Sequence, residues 1–190
     1  MGPIEMTGSA EERLFLVQKL TVSRHLTTIE AGRRAIEWQQ NYGPFAELSV
    51  RVGDSELNLF NQCLTAITQP IIFQANLSCR LLLAFLGIGI TKATPPVLCL
   101  IKNRQSTDIG IEHYRKCDGS PLEKLDPLKL LERYGDKVLS SWASVIAIVN
   151  KRLSHLTHDS SAREEDADRA MENTFTTVPE LVCQEFLEKL

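Results

Sequence analysis

Cysteine pairs, long apolar runs and glycine-rich phosphate loops are all missing from this 190-residue chain, and each absence narrows what it does. The five cysteines, Cys63, Cys79, Cys99, Cys117 and Cys183, are odd in number and scattered, with no C-x-x-C pair. That usage suits reduced thiols with a packing role, not a disulfide scaffold or a zinc knuckle. The longest apolar stretch, around CRLLLAFLGIGI, is broken by Arg80 and by glycines and is too short to span a bilayer. The opening residues, MGPIEMTGSAEE, show neither a basic n-region nor an apolar h-region. No signal peptide is therefore expected, a cytoplasmic location follows, and the Asn76-Leu77-Ser78 sequon loses its meaning. No G-x-x-x-x-G-K-[ST] or G-x-G-x-x-G follows a strand, no H-E-x-x-H is present, and there is no internal repeat. The net charge of −3 argues against a general nucleic-acid coat protein or a membrane-surface binder.

What is present is an ordinary soluble composition, 43% hydrophobic and 24% charged, in a chain long enough for one domain with its own core. The charge is uneven. Residues 1–100 hold 8 basic and 8 acidic side chains, residues 101–158 hold 10 and 7, and residues 159–190 hold 3 and 9. An anion-binding surface is therefore expected in the basic middle, with an acidic tail able to fold back over it.

Helical signals dominate the pattern. After a start over residues 1–8 that reads as disordered, Ser9 is an expected N-cap with Glu11 and Glu12 in the first turn. A broken 3.6-residue period then runs to about Gln40, and Gly43-Pro44 stops it. Gly53-Asp54 is expected to open a helix carrying Leu57, Phe60, Leu64 and Ile67, which Pro70 should kink or restart. Ile71 to Phe85 is apolar nearly all round, as in a central buried helix, and Gly87 terminates it. From Thr94-Pro95-Pro96 the helical pattern fades, and VLCLI with DIGIEHY reads as a short hairpin. Asp126-Pro127 starts another helix that ends at Gly135. The clearest stripe follows, over about Asp136 to His155: Val138, Trp142, Val145, Ile146, Val149, Leu153 and Leu156. Thr177-Val-Pro-Glu180 reads as a capping box opening a last helix. The expected fold is all-α, a single antiparallel helical bundle over 9–190, with four to five main helices and an irregular or short β-hairpin insertion around 92–120.

Candidate chemistry gathers in NKRLSHLTHD, residues 150–159, where two of the chain's four histidines lie three residues apart. On a helical wheel Asn150 and Arg152 flank the apolar stripe at roughly 80° to either side. Lys151, Ser154, His155 and His158 fall near the polar side. Arginine offers a planar fork to phosphate and lysine a point charge, while histidine moves protons near neutral pH. The plainer alternative is that basic side chains here complement a helix C-terminus. His155-x-x-His158-Asp159 lacks both the H-E-x-x-H glutamate and zinc-finger spacing, so neither metal nor cofactor is expected. His25 reads as a surface or half-buried residue. His113, Tyr114, Arg115 and Lys116 form a basic and aromatic cluster that suits either nucleic-acid stacking or a solvated loop. Arg80, within an apolar helix, requires a ligand or a structural partner such as Glu56.

NKRLSHLT resembles an N-K-x-x-A-H-L-T signature of small bacterial members of the HEPN superfamily (higher eukaryote and prokaryote nucleotide-binding). CRLLLAFLGI, residues 79–88, is similar to an A-R-x-L-L-x-F-L-G element in the preceding buried helix of such proteins. The resemblance implies a four- or five-helix bundle that forms homodimers with its motif helices facing. It implies RNA or a nucleotide as ligand, with no membrane involved. Active members are metal-independent ribonucleases, commonly toxins or anti-phage effectors, which implies an antitoxin or regulatory partner. Their motif is an arginine followed, after four to six residues, by a histidine, with a polar residue next to the arginine. With His155 as the motif histidine, Asn150 takes the arginine position and Lys151 the polar one. With His158, Arg152 fits and Leu153 replaces the polar residue. The catalytic candidates are then Arg152, His155 and His158, with Asn150, Lys151 and Ser154 holding phosphate. A degraded motif in a non-catalytic dimerisation or regulatory module is the alternative.

Overall fold

A computed structural model describes residues 9–57, 63–152 and 164–190, with only the backbone described at 52, 57, 152 and 164–166. The expected disordered start at 1–8 lies outside the described residues, as does Phe60.

The chain is mostly helical. Its first helix, α1 (Ala10–Leu16), begins where carboxylate and hydroxyl satisfy one another's backbone. Ser9 Oγ accepts from the Glu12 amide at 3.2 Å, and Glu12 Oε2 accepts from the Ser9 amide at 2.7 Å, the reciprocal capping box. A π-helical segment, Val17–Val22, leads into α2 (Ser23–Tyr42), which stops at Gly43. The following segment differs from expectation. Gly53-Asp54 does not start a helix but turns a hairpin between β1 (Val50–Val52) and β2 (Ser55–Leu57). Gly53 takes φ 58°, open to glycine at little cost, so two short alternating runs pair before a helix can begin.

Helix α3 (Thr65–Phe85) continues past Pro70 rather than restarting there. The proline lies in the second turn, where its missing donor removes one bond close to the helix start. After Gly87, β3 (Ile88–Ile90) pairs antiparallel with β4 (Leu98–Leu100). The expected partner of VLCLI was DIGIEHY. Instead VLCL folds back on the residues just after α3, and Ile111–His113 forms a 3-10 turn. The insertion therefore starts at Ile88, not at 92. Helix α4 (Pro127–Tyr134) is capped by Asp126, whose side chain accepts from the Leu128 amide, and α5 (Asp136–Arg152) follows Gly135. The last helix, α6 (Glu164–Glu185), contains Thr177-Val178-Pro179-Glu180 in its interior rather than at its start. Thr177 donates to the Asn173 carbonyl at 2.7 Å and accepts from Trp142 Nε1 at 2.8 Å, so its hydroxyl serves the helix body and the core.

Four helices, α2, α3, α5 and α6, pack on one another, with α4 against α5. Pairs such as His25 with Ser78 and Gln39 with Thr68 run α2 antiparallel to α3. At Gly32 the approach is close: a Cβ there would lie 2.3 Å from Ala75 Cβ and 3.1 Å from the Phe175 ring. The stripe expected on α5 does face the core. Trp142 and Val145 are fully buried, with Ile146 and Val149 nearly so. Burying Trp142 and Phe175 between the layers contributes roughly 3 kcal/mol each. No helix among the described residues is long and apolar enough to cross a membrane.

The insertion is stitched to the bundle through one buried junction. Tyr114, Phe85 and Phe186 stack edge to face with centroids 4.8–5.8 Å apart, and the Tyr114 hydroxyl donates to the Leu14 carbonyl at 2.9 Å. Arg104 donates to the Ala84 and Phe85 carbonyls at 2.6 and 2.9 Å, closing the end of α3, and pairs with Glu112 at 2.8 Å. Lys124 reaches the same carboxylate at 3.3 Å.

Candidate functional site

Helix α3 has two faces. Ile72, Ala75, Cys79, Leu82, Leu83 and Phe85 are buried and span a little under half of its circumference. The opposite side carries Phe73, 50% exposed, Leu81, 38% exposed, and the partly exposed Leu77 and Arg80. These positions recur at three- and four-residue spacing, so they share one outward face. The helix is central as expected, but it is not buried all round.

Arg80 finds its partner on α5. Its Nε donates to Asn150 Oδ1 at 2.7 Å, while Glu56, the partner suggested by sequence, accepts instead from Ser49 at 2.8 Å. This bond joins residues 70 positions apart in sequence and ties the CRLLLAFLGI segment to the start of NKRLSHLT. Asn150 and Lys151 are exposed on the last turn of α5, and Arg152 ends it. A guanidinium and an amide are thus joined at one rim, on the edge of the open α3 face, with Lys151 exposed on the same last turn of α5. Such a set can donate several hydrogen bonds to phosphate oxygens. Ser154, His155 and His158, along with Leu153 and Leu156 of the expected stripe, lie outside the described residues.

The other sequence candidates are taken up by structure. His25 is half-buried and its Nδ1 lies 3.0 Å from the buried Ser78 hydroxyl; burial, with Arg24 beside it, pushes the imidazole pKa down. The cluster at 113–116 does not form a stacking platform. Tyr114 is 6% exposed inside the aromatic triad and burial pushes its phenol up to about 12. His113 closes its own turn against Gly110, and Arg115 donates to the Gly119 carbonyl at 3.0 Å. The acidic start of α6 does not seal the motif end through Glu172, which accepts from Gln40 of α2. Among the described residues no group of three histidine, cysteine, aspartate or glutamate side chains is placed to hold a metal ion.

Sequence reading singled out Arg80 but not the outward stripe beside it. The signal was available, since Phe73, Leu77 and Leu81 are spaced four apart in a helix whose other positions also read as apolar. No protein-family model, no curated protein and no solved structure matches the chain.

Proposed function

We propose that this is a HEPN-like protein that binds RNA or a nucleotide at the joined ends of α3 and α5 and, as a homodimer, cleaves RNA without a metal in a toxin or anti-phage role. The observation that carries the reading is the Arg80–Asn150 hydrogen bond, which brings both motif segments to one rim. In this role Arg80 and Lys151 hold backbone phosphate and Arg152 stabilises the charge that builds on phosphorus during attack by the 2′-hydroxyl. His155 or His158 transfers the proton. The open face with Phe73, Leu77 and Leu81 supplies the dimer seam, which would set the two rims beside each other.

The test is RNA cleavage in EDTA by the wild-type chain and by Arg152→Ala, His155→Ala and His158→Ala. Cleavage lost by about a hundredfold or more in Arg152→Ala and in one histidine variant is the expected result, and it also chooses between the two motif registers. An inactive wild type that still dimerises, and whose dimer is lost in Leu81→Glu, favours the alternative of a non-catalytic dimerisation or regulatory module. The specific support for that alternative is the same exposed stripe.

A further inference from the structure

We infer that a cavity remote from the motif rim is a binding site for a small phosphate-bearing molecule. It lies where the segment before α4, α4 itself and the end of α6 meet, and its volume is about 450 Å³, within the range usual for small-ligand sites. Asp136, where α5 begins just beyond α4, is 14 positions from Asn150, roughly 21 Å of helix. The inference is therefore independent of the reading given for the motif rim.

Five cations line the cavity: Lys116, Lys124, Lys129, Arg133 and Lys189. Three carboxylates accompany them, and two of these are already committed. Asp126 caps α4 through the Leu128 amide at 2.9 Å, and Glu185 accepts from Arg133 at 2.6 Å and from Lys189. Glu123 lies exposed at the rim. Lys124 is turned to the insertion, donating to the Ile101 carbonyl at 2.9 Å. Lys129 has no hydrogen bond or ion pair among the described residues. Among the described residues Lys116 has only the field of Asp118, whose carboxylate is occupied by the Ser120 amide and hydroxyl at 2.8 and 2.6 Å. Two ammonium groups with donors to spare thus stand beside a guanidinium that Glu185 holds in place.

The walls are fixed before any ligand arrives. The Cys117 amide donates to the Lys189 carbonyl at 3.2 Å, Lys116 to Ser120 at 2.8 Å, and Leu125 to Leu86 at 3.0 Å. Leu122, Leu125 and Leu130 give an apolar floor, and no aromatic ring lines the cavity. Base stacking is not on offer, so recognition falls to charge. A phosphate monoester or pyrophosphate group, close to doubly negative or beyond at neutral pH, uses several cations at once where a single carboxylate does not.

Calorimetric titration of the full chain with inorganic pyrophosphate at low ionic strength tests this. Saturable binding is expected, weakened about tenfold or more in a Lys116→Ala, Lys129→Ala double variant and unchanged in Lys92→Ala, an exposed lysine outside both the cavity and the motif rim. Both lysines are exposed, so the double variant should keep the wild-type melting temperature, and Lys→Arg at both positions should restore binding. Absence of saturation in the wild type overturns the inference. So does equal weakening by Lys92→Ala, which would mark general surface charge. An RNA oligonucleotide that loses affinity in the double variant while pyrophosphate does not bind would also overturn it.

Discussion

Arg80 and Arg104 both attend helix α3, and they are used in opposite ways. Arg104 is 11% exposed and spends its donors on Glu112 and on the last carbonyls of the helix. Arg80, nearer the middle, makes one side-chain bond among the described residues, to an exposed asparagine, and stands on the open face. The first arginine completes a helix end that would otherwise carry orphan carbonyls in a partly buried corner. The second spends one of its five donors on the described residues. An arginine in an apolar run therefore says little until its partners are counted: saturation marks structure, and spare donors at a rim mark a site.

The strongest way to break this contrast is Arg104→Ala. It leaves Glu112 with Lys124 alone and uncaps α3, so a loss of about 3 kcal/mol in urea unfolding is expected. A loss under about 0.5 kcal/mol would mean the corner tolerates unpaired groups and the contrast fails. The pH dependence sharpens the same point. Burial pushes the Glu112 carboxyl up, but its own backbone amide, Arg104 and Lys124 outweigh this and hold it below the ordinary value of 4.5. A depressed carboxylate contributes stability above its unfolded-state pKa and loses it as pH falls through the folded value. Wild type and Glu112→Gln should thus differ fully above about pH 5 and converge as pH falls below the ordinary carboxylate value of 4.5, read from urea midpoints. The smallest stability effect is expected from Arg80→Ala, under about 1 kcal/mol, because its single partner is exposed. A larger loss would move Arg80 into the structural class with Arg104.

Those elements whose signals are local were legible in sequence. Ser9 with Glu12, Asp126 with Pro127, and the stops at Gly43 and Gly135 each mark a boundary through a cap or turn within a few residues. The α5 stripe was legible because burial there repeats with the helical period. What failed depended on distant partners. Ile88-Gly89-Ile90 is too short to announce a strand, and its pairing with Leu98–Leu100 was hidden beneath an equally apolar helix ending. Thr177 and Pro179 carry the chemistry of a helix start, yet Trp142, 35 residues away, uses the threonine inside one. At the site, the need of Arg80 for a partner could be read, but Asn150 could not be chosen over Glu56 without the packing of α3 on α5.

The contact at Gly32 has a consequence for anything that meets the outward face of α3. With no side chain there, the α2 backbone lies against Ala75 and the Phe175 ring closes the gap from α6, so α3 is clamped from behind along its middle. Phe73, Leu77 and Leu81 are then presented by a surface with little freedom left to lose. A second chain docking on it would give up mainly its own translation and rotation, with little ordering of the helix itself, and encounter rather than rearrangement would set the pace of assembly.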